Sequence, residues 1–177
     1  MFEGADSMVR LRNIPTGYSE IIKYYGNPAD KDGDHDLDPD WYKENTAVFG
    51  LPFYLRLSWG DHDKVWRFRA HKLVGEAMKD ALMEIAWYYG EAFHEKNFDL
   101  FGGTYNFRYQ RGSNKYLSTH SWGIALDYLP NRGRLGSKVD AQTYPQEIVD
   151  IFKVRGFSWG GDWETPDAMH FQAAKGY

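Results

Sequence analysis

At 177 residues the chain is long enough to bury one substantial core and short for two, and with 18% aromatic residues it is not a disordered composition. A formal net charge of −4 gives no basic footprint for nucleic acid, and no run approaches the roughly 18 apolar residues of a membrane span. Zero cysteines exclude disulfides, thiolate nucleophiles and Cys-ligated metals, so any metal must be held by histidines and carboxylates.

The opening MFEGADSMVRLRNIP has acidic residues and no apolar h-region, so no secretory signal is expected and synthesis in a cytoplasm is. YSEIIKYY (18–25) reads as a short helix stopped by Gly26 and Pro28. DKDGDHDLDPDW (30–41) follows, with six aspartates and a histidine. An EF-hand loop wants Gly at position six and Glu at twelve; starting at Asp30 puts His35 and Trp41 there, and starting at Asp32 puts Leu37 and Lys43. The expectation is a solvated acidic loop closed by Pro39, the alternative an accessory Ca2+ site at Asp30, Asp32, Asp34 and Asp36.

AVFGLPFYLRLSWGDHDKVWRFR (47–69) alternates apolar with polar about a turn at Gly60 and Asp61, a hairpin signature. From about His71 to Lys96, Val74, Met78, Ala81, Leu82, Ile85, Tyr88, Tyr89 and Ala92 recur at helical spacing, predicting one long amphipathic helix. TYNFRYQ (104–110) and GIALDYL (123–129) read as strands, YPQEIVDIFKVRG (144–156) as a helix, and FSWGG and MHFQA as short final strands. Strands and helices are segregated, which predicts an α+β fold with a small, mostly antiparallel sheet backed by helices. No linker is visible, so 1–177 reads as a single domain in which 1–46 forms a peripheral helix and acidic loop.

Of the six histidines, His62 lies in the hairpin turn, and His71 and His94 begin and end the long helix. His94-Glu95 lacks the second histidine of a zincin, since Phe98 stands in its place. His35 belongs to the acidic loop. His120 and His170 differ because each lies near a well-placed carboxylate. In YLSTHSWGIALDYLP, Gly123 permits a turn that could return Asp127 beside His120. In GDWETPDAMHFQ, Asp167 and His170 are three apart, which one helical turn would place on one face. Two His and one Asp would make a three-ligand zinc site with an open position, the hydrolytic arrangement, with a further carboxylate free to act as base. Spacing alone leaves hydrogen-bonded core polars equally open.

Ser118-x-His120-x-x-Gly123-x-Ala125-x-Asp127, followed by Trp163-x-x-Pro166-Asp167-x-x-His170-Phe171, resembles the zinc D-Ala-D-Ala carboxypeptidase and L-alanyl-D-glutamate endopeptidase family, which cleaves bacterial cell-wall peptides and includes many phage endolysins. The resemblance covers best residues 70 to 172 and implies a hedgehog/DD-peptidase-like fold. It implies that His120, Asp127 and His170 ligate one Zn2+, that Asp167 is the general base, and that Arg108 holds the substrate carbonyl or carboxylate, with Arg111 close enough to take that part. Many exopeptidase relatives have Glu where this sequence has Asp167, so the departure leans towards endolysin-like members. Ser118 is read as a partner orienting a ligand, and Trp122, Trp159 and Trp163 as cleft or core. The implied function is an L-alanyl-D-glutamate endopeptidase acting on peptidoglycan stem peptides as a phage or prophage endolysin. As such it would be a monomer with no membrane anchor, acting on murein after holin-type or lysis-dependent release. The alternatives are a D-alanyl-D-alanine carboxypeptidase or dipeptidase and, in another class, a catalytically silent zinc-binding module.

Overall fold

The computed structural model describes residues 8–30, 36–138 and 144–177. Six strands form one sheet in the order β2-β1-β3-β4-β6-β5. They are β1 (Thr46–Leu57), β2 (Lys64–His71), β3 (Leu100–Gly103), β4 (Ala125–Tyr128), β5 (Ser158–Trp159) and β6 (His170–Gln172). Every pairing is antiparallel except β1 with β3. The helices are α1 (Tyr18–Tyr25), α2 (Pro39–Asn45), α3 (Gly75–Tyr89), α4 (Ala92–Glu95) and α5 (Gln146–Val154). The fold is therefore α+β, as the segregated pattern predicts.

Period-two alternation in β4 and β6 gives the sheet two chemically different faces. Leu126, Tyr128 and Phe171 join the hydrophobic core, where Phe152 of α5 stacks on Phe171 with ring centroids 4.2 Å apart. Met78, Ala81, Leu82 and Ile85 of α3 are wholly buried, and α3 packs on β1, β2 and α5. Asp127, His170 and Gln172 point the other way, and Asp127 is the register partner of His170.

Several local expectations change. The single helix expected from His71 to Lys96 is two: His71 ends β2, α3 begins at Gly75, and Gly90 at φ 52° breaks the chain before α4. Tyr88 lies off the stripe and is exposed. The segment 104–110 is no strand but an irregular extended run, whose Asn106 N–H donates to His120 O and whose Arg108 N–H donates to Ser121 Oγ. The strand in that region is β3, LFGG, in which a Cβ at Gly102 would meet Asp127 Cβ at 2.6 Å.

Pro39 does not close a loop; it opens α2 at the first helical position, and Asp38 caps it by accepting from Asp40 and Trp41 N–H at 2.9 and 3.1 Å. Asp30 N–H donates to Asp36 O across the acidic run. The calcium alternative falls largely on Asp32 and Asp34, which with His35 lie outside the described residues. The segment expected at the periphery contributes Ile21, Tyr25 and Trp41 to the core. Among the described residues no helix is long and apolar enough to cross a membrane.

Gly123 illustrates how tightly the turn before β4 is specified. Its φ is 68°, and an added Cβ would lie 2.9 Å from His71 N and 3.1 Å from Ala70 Cα. The left-handed conformation alone costs a non-glycine residue about 1–2 kcal/mol, and the backbone contact adds to it. Gly123→Ala is expected to lower unfolding free energy by about 2 kcal/mol or more, read by denaturant titration; an unchanged midpoint would contradict this account of the turn.

Candidate active site

Three elements bring three side chains together. A 3-10 turn, Thr119–Trp122, is capped by Ser118, whose Oγ accepts from His120 N–H at 3.4 Å. The turn closes with Gly123 N–H donating to His120 O, and β4 then runs back beneath it to Asp127. Strand β6 places His170 directly across from Asp127. His120, Asp127 and His170 each offer a ligand atom within 4.8 Å of the others, the one such group among the described residues.

Asp167 reaches the same place differently from the helical turn expected. His170 N–H donates to Asp167 O at 3.0 Å, closing a β-turn that leads into β6. Asp167 N–H donates to Gly160 O at 2.9 Å, and a Cβ at Gly160 would lie 2.4 Å from Asp167 O, so the approach requires glycine.

The hydrogen bonds within the trio are unbalanced in a telling way. Nδ1 of His120 lies 2.7 Å from Thr104 O, which can only accept, so Nδ1 carries the proton and Nε2 is left as a lone pair. That Nε2 is buried without a hydrogen-bond partner, 3.3 Å from Asp127 Oδ1. A lone pair and a carboxylate oxygen facing each other repel unless a cation lies between them. The donor set, two imidazoles and one carboxylate with no thiolate, fits zinc in its hydrolytic form. Burial alone would raise the Asp127 pKa, but the two imidazoles beside it outweigh burial and hold the carboxyl well below its ordinary value.

Asp167 behaves oppositely. Burial raises its pKa above the ordinary carboxylate value, Asp127 adds to the rise, and His170, His120 and Arg111 oppose it. Its Oδ1 is buried and has no hydrogen-bond partner. A desolvated carboxylate with an unused oxygen at the edge of the trio is poised to accept a proton.

His120 and Asp127 lie between two compartments, and His170 lines the larger. The larger, about 490 Å3, is walled by Arg111, Trp163, Asp167, Met169 and Tyr177; the smaller, about 290 Å3, by Trp59, Gly103, Tyr105 and Asn106. His120, Asp127 and Arg108 border both. Arg108 is exposed, while Arg111 borders the larger side only and is the arginine whose charge bears on Asp167. Ser118 also lines the larger compartment, and Trp163 sits with its ring centroid 5.3 Å from that of His170. Trp122, expected at the cleft or in the core, is wholly buried and donates to Gly26 O, and Trp159 is buried with its indole N–H on Ala168 O. Sequence reasoning missed Thr104 and Gln172; the latter's Oε1 lies 3.0 Å from His170 Nε2, and its one sequence signal was its place two residues beyond His170 on the same strand face.

Among the described residues, the histidines outside the site are engaged elsewhere. His94 Nδ1 lies 2.8 Å from the wholly buried Asp99, which also pairs with Arg56, and His62 Nδ1 lies 2.7 Å from Leu57 O. His71 is buried between Tyr25 and Trp41, and burial lowers its pKa to about 4.

A chain that gathers two histidines and an aspartate beside a desolvated carboxylate in a cleft has the residue set of a hydrolytic zinc enzyme. Residues 111–173, roughly a third of the chain, match the model of a zinc peptidase family described as D-alanyl-D-alanine carboxypeptidase. The family resemblance carried by the two motifs holds over that segment, which contains His120, Asp127, Asp167 and His170 but not Arg108. The match supports a zinc metallopeptidase in general. No curated protein and no solved structure matches the chain.

Proposed function

We propose that the chain is a zinc-dependent peptidoglycan peptidase, an L-alanyl-D-glutamate endopeptidase acting on stem peptides in the manner of a phage or prophage endolysin. The observation that carries the metal reading is the buried, partnerless His120 Nε2 facing Asp127 Oδ1. His120 Nε2, an Asp127 oxygen and His170 would hold the ion, and zinc there supplies Lewis acidity towards a carbonyl oxygen and a water.

The protein's own groups do the rest. Asp167 accepts a proton from the attacking water and can return it to the departing amine, which needs one carboxylate of raised pKa and no second base. Arg108, at the junction of the two compartments, donates to the carbonyl oxygen as negative charge develops on it. Trp163 and Tyr177 wall the larger compartment.

Space on both sides of His120 and Asp127 supports an endopeptidase, because a substrate cut internally must continue past the scissile bond in both directions. The description of the matching family favours a second reading, a D-alanyl-D-alanine carboxypeptidase or dipeptidase, in which an arginine would instead hold a terminal carboxylate. A silent zinc-binding module has less support, since such a module gains nothing from leaving the Asp167 carboxylate desolvated and unpartnered. Digestion of purified murein, with mass spectrometry of the new termini and a chelator control, separates the readings. New amino-terminal D-glutamate is expected; free D-alanine as the sole product would overturn the endopeptidase assignment, and zinc binding with no product would leave the silent module.

A further inference from the structure

We propose that Gln172 is a positioning residue that selects the nitrogen through which His170 meets the metal; the inference rests on the zinc reading above. Gln172 is 1% exposed, and its amide orientation is determined by its surroundings. Its Nε2 lies 3.0 Å from Tyr177 O and 3.3 Å from Ala174 O, and carbonyl oxygens only accept, so the NH2 group must face them. Its Oε1 is thereby turned towards His170 Nε2 at 3.0 Å and Thr119 Oγ1 at 3.1 Å. The hydroxyl of Thr119 can give its one proton to that oxygen. An amide oxygen is an acceptor, so His170 Nε2 must be its donor.

With the proton fixed on Nε2, Nδ1 of His170 carries the lone pair, and it lies 3.0 Å from Asp127 Oδ1. His120 is set the other way round: Thr104 O takes its Nδ1–H and leaves Nε2 free. The two imidazoles therefore present different nitrogens to one point, Nε2 from the turn and Nδ1 from β6. Position follows from the strand: Phe171 between them points into the core, so residues 170 and 172 share the cleft face. Residues 173–177 close the arrangement, since the Tyr177 hydroxyl donates to Leu117 O and its ring packs on Tyr18 with centroids 5.2 Å apart, holding the carbonyl that orients Gln172.

Two variants and one spectrum test this. Gln172→Met keeps the volume and removes the acceptor, and zinc affinity measured by chelator competition should fall about 10- to 100-fold. Gln172→Glu keeps an acceptor for His170 but loses both N–H donors, so it should bind zinc within a few-fold of wild type while melting at lower temperature. Long-range 1H–15N spectra of the zinc-loaded wild-type protein should show His170 protonated on Nε2 and metal-bound through Nδ1. The opposite assignment, or a folded Gln172→Met protein whose zinc affinity is within about twofold of wild type, would overturn the proposal even if one variant fails to fold. Wild-type protein that binds no zinc would instead fell the zinc reading on which it rests.

Discussion

Asp167→Asn is expected to lower kcat/KM on murein peptides by about 10^2- to 10^4-fold while leaving zinc affinity within a few-fold of wild type. The amide fills the same space but cannot take a proton. Its second signature is thermodynamic. Because burial raises the Asp167 pKa above the ordinary carboxylate value, the ionised form costs the folded state stability once pH exceeds the unfolded value. Replacing it with a neutral amide should therefore leave the melting temperature at pH 7 unchanged or higher, a variant less active but not less stable. An Asn variant with wild-type turnover would remove Asp167 from the chemistry.

Asp127→Ala should be as damaging by a different route. Asp127 Oδ1 lies 3.0 Å from His170 Nδ1 and 3.3 Å from His120 Nε2, so it is the anion that both imidazoles face. Removing it takes away the charge that balances a divalent cation. Zinc content after dialysis should drop from about one per chain to near zero, and murein hydrolysis should fall to background and not recover with added zinc. Full zinc occupancy in this variant would contradict the ligand assignment. The contrast with Asp167→Asn is the useful part: one aspartate should govern metal content, the other turnover.

What could be read from the sequence, and what could not, follows the range of the interactions concerned. The hairpin of β1 and β2, the stripe of α3 and the turn glycine Gly123 are local patterns, and each is found where periodicity or backbone freedom places it. Residues whose roles depend on distant partners were harder. Gly102 and Gly103 carry no strand pattern, yet they lie in β3, where a Cβ at Gly102 would meet Asp127 Cβ. Pro39 read as a loop stop because the capping bonds of Asp38, which make it a helix start, are invisible to composition. The trio itself was legible through two motifs, but its geometry was not. That Asp127 pairs with His170 across β4 and β6 follows from sheet register, and that Thr104 O faces His120 follows from the course of the chain beyond β3. The acidic run holds the densest carboxylates in the sequence, whereas the trio is sparse and identified by an unbalanced set of hydrogen bonds.

Release of new amino groups from purified murein by the zinc-loaded wild-type protein tests the central claim most directly. The account predicts release that a chelator stops, that about one equivalent of zinc per chain restores, and that Asp127→Ala protein does not show. A wild-type protein that holds zinc at the trio and releases no amino groups from murein would contradict it.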